Sequence, residues 1–174
     1  HYRFDNVITL RTFSKVYGLA GVRAGYGFAR EELIRNLLKV KLPFEPGTLA
    51  EAAGMAALGD RTFVHRSLEE NVNGMQMMSR GLAARGIQFV PSQANFLMLI
   101  FDSAALASRF DEGLLRQGII VRPLAAFGLP YCVRITIGTQ SDNEACLAAI
   151  DNVFEHDSVF LQLTVQATHE SFPF

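Results

Sequence analysis

The first forty residues combine two short apolar runs with one amphipathic segment. Residues 6–11 and 22–29 are rich in apolar and β-branched side chains, and we expect each to form a short buried strand. Residues 31–39 predict a helix. Because proline cannot continue a helix, it should end before the loop that holds Pro43 and Pro46.

The next segment has a helical period throughout. Residues 49–58 are rich in alanine and predict a helix that ends at Gly59. Between residues 62 and 85, apolar side chains recur every three or four positions, which is typical of one long helix with a single buried face. The apolar positions of this helix are Val64, Leu68, Val72, Met75, Met78 and Leu82.

After Gly86 the pattern changes to short strands separated by helices. Strands are predicted over residues 89–90, 96–100, 119–121 and 132–137. One helix has Leu106, Phe110 and Leu114 on one side and ends near Gly118. Ser141 and Glu144 have the spacing of a capping box, which predicts a last helix with its apolar side chains facing inward, Leu147, Ile150 and Phe154.

Strands that alternate with helices in this way predict an α/β fold. We expect a boundary near Gly86, between a helix-rich part over residues 1–86 and a compact β-α-β-β-α part over residues 87–155. Residues 156–174 follow no clear period, and we assign them as a tail of unknown role.

Composition and charge exclude several classes of protein. Of the 174 residues, 49% are hydrophobic, which is enough for a buried core, and the net charge of −1 gives no reason to expect nucleic acid or an anionic membrane as a partner. No apolar stretch is long enough to span a bilayer. The two cysteines form no CxxC motif and favour a cytoplasmic location, and the four histidines never fall at metal-ligand spacing, so no metal site is expected.

The segment RTFSKVYGLAGVRAGYG, residues 11–27, carries the candidate chemistry. Lys15 follows a predicted strand, and burial there would favour the neutral amine that attacks a carbonyl. The hydroxyls of Thr12 and Ser14 and the guanidinium of Arg23 are groups that bind a phosphate. An amine for an aldehyde beside a phosphate cradle suggests pyridoxal 5′-phosphate (PLP). A solvated lysine in a glycine-rich turn is the alternative that spacing alone leaves open.

The sequence LRTFSKVYGLAGVRAGYGFA resembles the lysine region of fold-type I PLP-dependent aminotransferases, in particular the histidinol-phosphate aminotransferase branch. Four further blocks follow in that family's order and roughly its spacing, KLPFEPGTLAEAAGMAAL, PSQANFLML, GIIVRPL and VRITIGT. The likeness covers residues 5–154. It implies that residues 1–86 are the end of the large α/β PLP-binding domain and that residues 87–155 are the small α+β domain.

The resemblance also implies roles around the cofactor. Lys15 matches the lysine that forms a Schiff base with PLP and carries the proton between the substrate α-carbon and C4′ of the cofactor. Thr12, Ser14 and Arg23 match positions that hold the cofactor phosphate.

Three further residues match positions on the substrate side. Arg134, in VRITIGT, matches the arginine that binds the substrate α-carboxylate, for which a bidentate guanidinium is suited. Arg122, in VRPL, matches a position near the distal phosphate of the substrate; the alternative is a surface residue at a strand end. Asn95 is a candidate substrate residue, or it only closes a turn.

The function implied is the transfer of an amino group to a 2-oxo acid, with 2-oxoglutarate expected as the acceptor. An L-amino acid or an amino-alcohol phosphate would be the donor, as in histidine biosynthesis, and the enzyme would be a cytoplasmic homodimer. An aromatic amino acid aminotransferase and an amino-acid-phosphate decarboxylase of the same fold are alternatives.

The family also uses residues upstream of the lysine, including an aspartate that pairs with the pyridinium nitrogen and an aromatic residue that stacks on the ring. Only fourteen residues precede Lys15 here, and Asp5 is too close to the lysine to take the aspartate role. The chain therefore resembles the C-terminal half of an aminotransferase. We expect a fragment that is inactive alone, or a truncated, non-catalytic PLP-transferase-like domain.

Overall fold

The computed structural model describes residues 4–157 and residue 160. It divides the chain into two compact units, with the division between Leu68 and Glu69. This division lies inside a long helix rather than near Gly86. The expected tail falls outside the described residues, apart from His156, Asp157 and Phe160. The assignment of residues 1–86 and 87–155 to two domains of known type stays a prediction.

The first unit contains a two-stranded antiparallel sheet and two helices. Strand β1 (Thr9–Thr12) pairs with β2 (Gly25–Phe28), and helices α1 (Glu31–Val40) and α2 (Thr48–Gly59) follow. Both helices match the expected segments within one residue at each end. The prediction of buried strands is wrong for the described chain, because most side chains of β1 and β2 are exposed.

Helix α3 (Arg61–Ala84) begins in the first unit and continues into the second. It ends at Ala84, and the chain turns away at Gly86, whose φ of 68° glycine adopts readily, while the N–H of Ile87 donates to the carbonyl of Leu82 at 3.0 Å. The change of pattern at Gly86 therefore marks the end of this helix.

The second unit is built on a four-stranded antiparallel sheet with the order β3-β4-β6-β5. Its elements are β3 (Gln88–Val90), β4 (Phe96–Ile100), α4 (Ala104–Arg116), β5 (Arg122–Pro123), β6 (Cys132–Thr136) and α5 (Gln140–His156). The two-residue strand β5 lies at one edge of the sheet.

One face of this sheet forms the core with the helices. Leu97 of β4 pairs with Ile135 of β6, and Leu99 pairs with Val133, so that four buried side chains share that face. The helices contribute further fully buried side chains, Met78, Leu82, Phe110, Leu114 and Ile150. Because side chains alternate between the faces of a strand, Arg134 and Phe96 lie on the opposite face.

Two sequence predictions in this unit are wrong. Residues 119–121 do not form a strand, because the N–H of Ile119 donates to the carbonyl of Leu114 at 3.0 Å and closes the end of α4 beside Gly118. The capping box of α5 is not formed by Ser141 and Glu144. Thr139 caps the helix instead, and its partner in the box is Asp142.

Asn143 is the one buried polar side chain among the described residues, and it joins α5 to the segment that follows β6. Its Oδ1 accepts the N–H of Gly138 at 3.0 Å, and its Nδ2 donates to the carbonyl of the same glycine at 3.1 Å. Both polar atoms of the amide are therefore satisfied.

Candidate functional site

Lys15 lies in a turn directly after β1. The N–H of Ser14 donates to Oγ1 of Thr12 at 3.0 Å, and the N–H of Gly18 donates to the carbonyl of Lys15 at 2.8 Å. Gly18 has a φ of 68°, which makes glycine the suitable residue for this turn. The backbone around Lys15 is therefore fixed, although its side chain is exposed rather than buried as expected.

Phe13 anchors this turn in the first unit. Its ring is 6% exposed and packs against Tyr17 and Tyr26, with ring centroids 5.1 and 5.6 Å away. A Cβ added to Gly54 of α2 would lie 3.2 Å from the Phe13 ring, so the ring lies directly on the helix backbone. Both tyrosine rings therefore take part in the packing around Phe13.

Arg23 lies next to this turn through the pairing of the two strands. Thr12 pairs with Gly25, and the N–H of Phe13 donates to the carbonyl of Ala24 at 3.2 Å. Ser14 and Arg23 lie just beyond these paired residues, outside the two strands. Arg23 has a φ of 53°, and its Nη1 donates to the carbonyl of Ala20 at 2.9 Å.

Arg23 also lines an open cavity of about 400 Å³ in the first unit. Lys41, Glu45 and Ala50 are among the other residues around it. The cavity therefore brings two cations and one carboxylate together beside the segment that carries Lys15.

In the second unit, Arg122 and Arg134 are direct cross-strand partners of β5 and β6. Like charges in this position destabilise a sheet, so a pair of arginines requires a reason. Among residues 4–157 and 160, neither guanidinium forms a salt bridge with a carboxylate. Two neighbouring, unneutralised guanidiniums are suited to a ligand with one or two anionic groups.

Each of these arginines lies over an aromatic ring. The Cζ atom of Arg134 is 5.2 Å from the centre of the Phe96 ring, and that of Arg122 is 5.8 Å from the centre of the Phe127 ring. Such contacts contribute about 0.5–2 kcal/mol, depending on desolvation. Neither ring was a candidate from the sequence, although Phe96 is two residues before Met98, the cross-strand partner of Arg134.

Asn95 precedes β4, and its backbone carbonyl accepts the N–H of Ile137 at 2.9 Å, which extends the pairing of β4 with β6. Its side chain is exposed. This contact supports the turn-closing alternative, and a substrate role for the side chain stays a prediction.

Three further features of the described residues concern metal ligands, membrane-spanning helices and the two cysteines. Residues 4–157 and 160 contain no group of three or more His, Cys, Asp or Glu side chains that could hold a metal ion. No described helix is long and apolar enough to cross a membrane. Both cysteines are buried, and burial raises the pKa of Cys132 and raises that of Cys146 to about 11.

Comparison with known proteins gives a consistent result. Residues 3–150 match the family model described as aminotransferase class I and II. Histidinol-phosphate aminotransferase 2 of Ralstonia nicotianae is 44% identical over 151 residues, which are 86% of this chain and 40% of that protein. The histidinol-phosphate aminotransferase of an Anaeromyxobacter species is 45% identical over 151 residues, 87% of this chain and 41% of that protein.

A solved structure shows the same similarity. The structure of histidinol-phosphate aminotransferase from Sinorhizobium meliloti in complex with pyridoxal-5′-phosphate has a TM-score of 0.80 and 30% identity. The similarity covers 87% of this chain and 42% of that one. The chain spans about 40% of the length of the curated relatives described above.

Proposed function

The chain belongs to the class I and II aminotransferase family, with the fold of the C-terminal part of a fold-type I enzyme, and on this premise we propose that it supplies the cofactor lysine and the substrate-binding arginines of a histidinol-phosphate aminotransferase. The observation that carries the proposal concerns the surroundings of Lys15. Its side-chain amine has no hydrogen-bond or ion-pair partner among the described residues, whereas the surrounding backbone is fixed. Such an amine is available to an aldehyde.

The residues beside Lys15 fit the phosphate ester of PLP. Arg23 uses only Nη1 in its contact with Ala20, which leaves its other N–H donors for an anion. The hydroxyl of Thr12 accepts one backbone hydrogen bond and keeps its own proton to donate, and Ser14 offers a second hydroxyl. We propose that these three residues hold the cofactor phosphate.

When bound, PLP would supply the electron sink that stabilises negative charge at the substrate α-carbon. Lys15 would accept a proton from the substrate α-carbon and deliver it to C4′ of the cofactor. The fixed backbone of the turn would keep the amine near the carbon that it serves, as proton transfer requires.

On the substrate side, we propose that Arg134 binds a carboxylate and that Arg122 binds the second anionic group. An amino-alcohol phosphate has a phosphate, and 2-oxoglutarate has two carboxylates, so that one pair of guanidiniums could serve both the donor and the acceptor. The names of the relatives support histidinol phosphate as the donor. We further propose that the whole enzyme is a cytoplasmic homodimer.

We expect the 174-residue chain by itself to be inactive. Lys15 and the cavity beside Arg23 are open to solvent, and an active site of this kind needs water to be excluded from the reacting groups. The alternative is a domain that binds PLP weakly and has no catalytic role, and the exposure of Lys15 is the observation that favours it.

The proposal is tested by identifying the lysine to which the cofactor binds. The sequence contains three lysines, Lys15, Lys39 and Lys41. After incubation with PLP and reduction with borohydride, peptide mass analysis should find the cofactor on Lys15. The variant Lys15→Ala should lose the modification, and Lys39→Ala should retain it. Equal labelling of all three lysines would contradict the proposal.

A further inference from the structure

We propose that Phe96 is a positioning residue for Arg134, so that its ring holds the guanidinium in place of a carboxylate. The proposal rests on the function proposed above only in taking Arg134 as an anion-binding residue. Phe96 stands at the start of β4 on the sheet face opposite the core, and Arg134 lies on the neighbouring strand β6 on the same face.

The contacts of Arg134 distinguish it from the structural arginines of the same unit. Arg85 and Arg109 each donate two hydrogen bonds to a carboxylate, those of Asp151 and Asp157. Arg134 has no such partner among the described residues, and its Nε atom is buried without a hydrogen bond. Of the contacts described for its guanidinium, the Phe96 ring is the one that favours its charge.

A ring and a carboxylate have different consequences for a ligand. A carboxylate would neutralise the guanidinium and occupy its N–H donors, so an incoming anion would have to displace it. The face of an aromatic ring attracts the cation through its quadrupole and uses none of those donors. Phe96 can therefore fix Arg134 while the charge and the hydrogen-bond donors stay available.

The position of Arg122 explains why the Arg134 guanidinium needs the Phe96 ring to hold it in place. Arg122 is the direct cross-strand partner of Arg134, and the repulsion between the two guanidiniums would move the Arg134 side chain away from a fixed position. The ring of Phe96 offsets that repulsion from beneath. The exposed pair of Arg122 and Phe127 has the same arrangement, with more water around it.

The experiment uses the whole 174-residue chain without PLP, so its outcome is independent of the cofactor test on Lys15. The Nε–H resonance of Arg134 is followed by ¹⁵N NMR while inorganic phosphate is added. Phe96→Leu removes the ring and keeps an apolar side chain, and Phe96→Tyr keeps the ring. Phe89→Leu is the matched control, because Phe89 lies on β3 and packs against the core.

In the unaltered chain, phosphate should shift the Arg134 Nε–H resonance, and Arg134→Gln should abolish phosphate binding at the pair of Arg122 and Arg134, as followed by the Arg122 Nε–H resonance. In Phe96→Leu, the ring-current shift of that resonance should disappear, and phosphate should bind about three- to tenfold more weakly. Phe96→Tyr and Phe89→Leu should bind phosphate as the unaltered chain does.

Four results would overturn the proposal. The first is an Arg134 resonance that phosphate does not shift in the unaltered chain, and the second is an unchanged resonance or phosphate affinity in Phe96→Leu. The third is an equal loss of phosphate affinity in Phe89→Leu. The fourth is a loss of phosphate affinity in Phe96→Tyr as large as that in Phe96→Leu. The last two would assign to Phe96 a role in packing alone.

Discussion

Phe13 lies on the backbone of α2 at Gly54, where a Cβ atom would come within 3.2 Å of its ring. This contact fixes the residue two positions before Lys15 against a helix of the same unit. The turn that carries the proposed cofactor lysine is therefore anchored by packing as well as by its own hydrogen bonds.

We expect Gly54→Val to displace the Phe13 ring and to destabilise the first unit by about 1–3 kcal/mol, because the added methyl groups would overlap the ring. Gly59→Ala is the matched control, because a Cβ at Gly59 would meet no atom within 4 Å. Urea denaturation of both variants measures the difference in the free energy of unfolding. A Gly54→Val variant as stable as the control would contradict the described contact.

The arginine pair leads to a prediction about stability. Arg122→Gln should increase the free energy of unfolding by about 0.3 kcal/mol, because it removes the repulsion across β5 and β6, and the gain should shrink at high salt. Arg116→Gln, at an exposed arginine 4.0 Å from Glu112, should give no gain. Thermal unfolding at low and high salt measures both effects. A destabilised Arg122→Gln variant would indicate that the contact of Arg122 with the Phe127 ring outweighs the repulsion between the arginines.

Cys146 predicts a loss of stability at alkaline pH. Its pKa is raised to about 11 by burial, from an ordinary value near 9.0, so the folded chain holds the thiol proton more tightly than the unfolded chain does. This contribution is fully present below pH 9 and is lost as the pH rises towards 11, by up to about 3 kcal/mol.

Urea denaturation between pH 8 and pH 11 measures that loss. Cys146→Ala should show a weaker dependence on pH in this range, because only Cys132 then remains as a buried thiol. The same slope in both proteins would show that Cys146 is not the group responsible.

The capping box of α5 gives a direct test of the corrected helix start. Thr139 Oγ1 accepts the N–H of Asp142 at 3.3 Å, and Asp142 Oδ2 accepts the N–H of Thr139 at 3.0 Å. Thr139→Ala should cost about 1 kcal/mol of stability. Ser141→Ala, at the position that the sequence pattern favoured, should cost less than half of that in the same denaturation experiment.

Local signals were sufficient to predict the helices. The limits of α1 and α2 follow from helical period, proline and glycine, which are properties of neighbouring residues. The strand predicted over residues 119–121 is wrong because apolar β-branched residues also follow a helix end, and only the contact of Ile119 with Leu114 distinguishes the two. That contact spans only five residues, but the apolar, β-branched character of residues 119–121 does not reveal it.

The sequence supplies candidate residues for the site but not their surroundings. The family motif identified Lys15 and Arg134 as candidates, because an amine and a guanidinium have specific chemical uses. The exposure of Lys15 and the ring of Phe96 beneath Arg134 depend on which strands pair and in which register. Those relationships come from residues distant in the sequence.

Pro123 limits strand pairing at one edge of the four-stranded sheet. It belongs to the edge strand β5 and has no N–H to offer to a further strand, and its neighbour Arg122 adds an exposed charge. An extended segment of another molecule would find neither a regular row of donors nor a flat apolar edge there. This edge is therefore a poor template for amyloid-like pairing with another molecule.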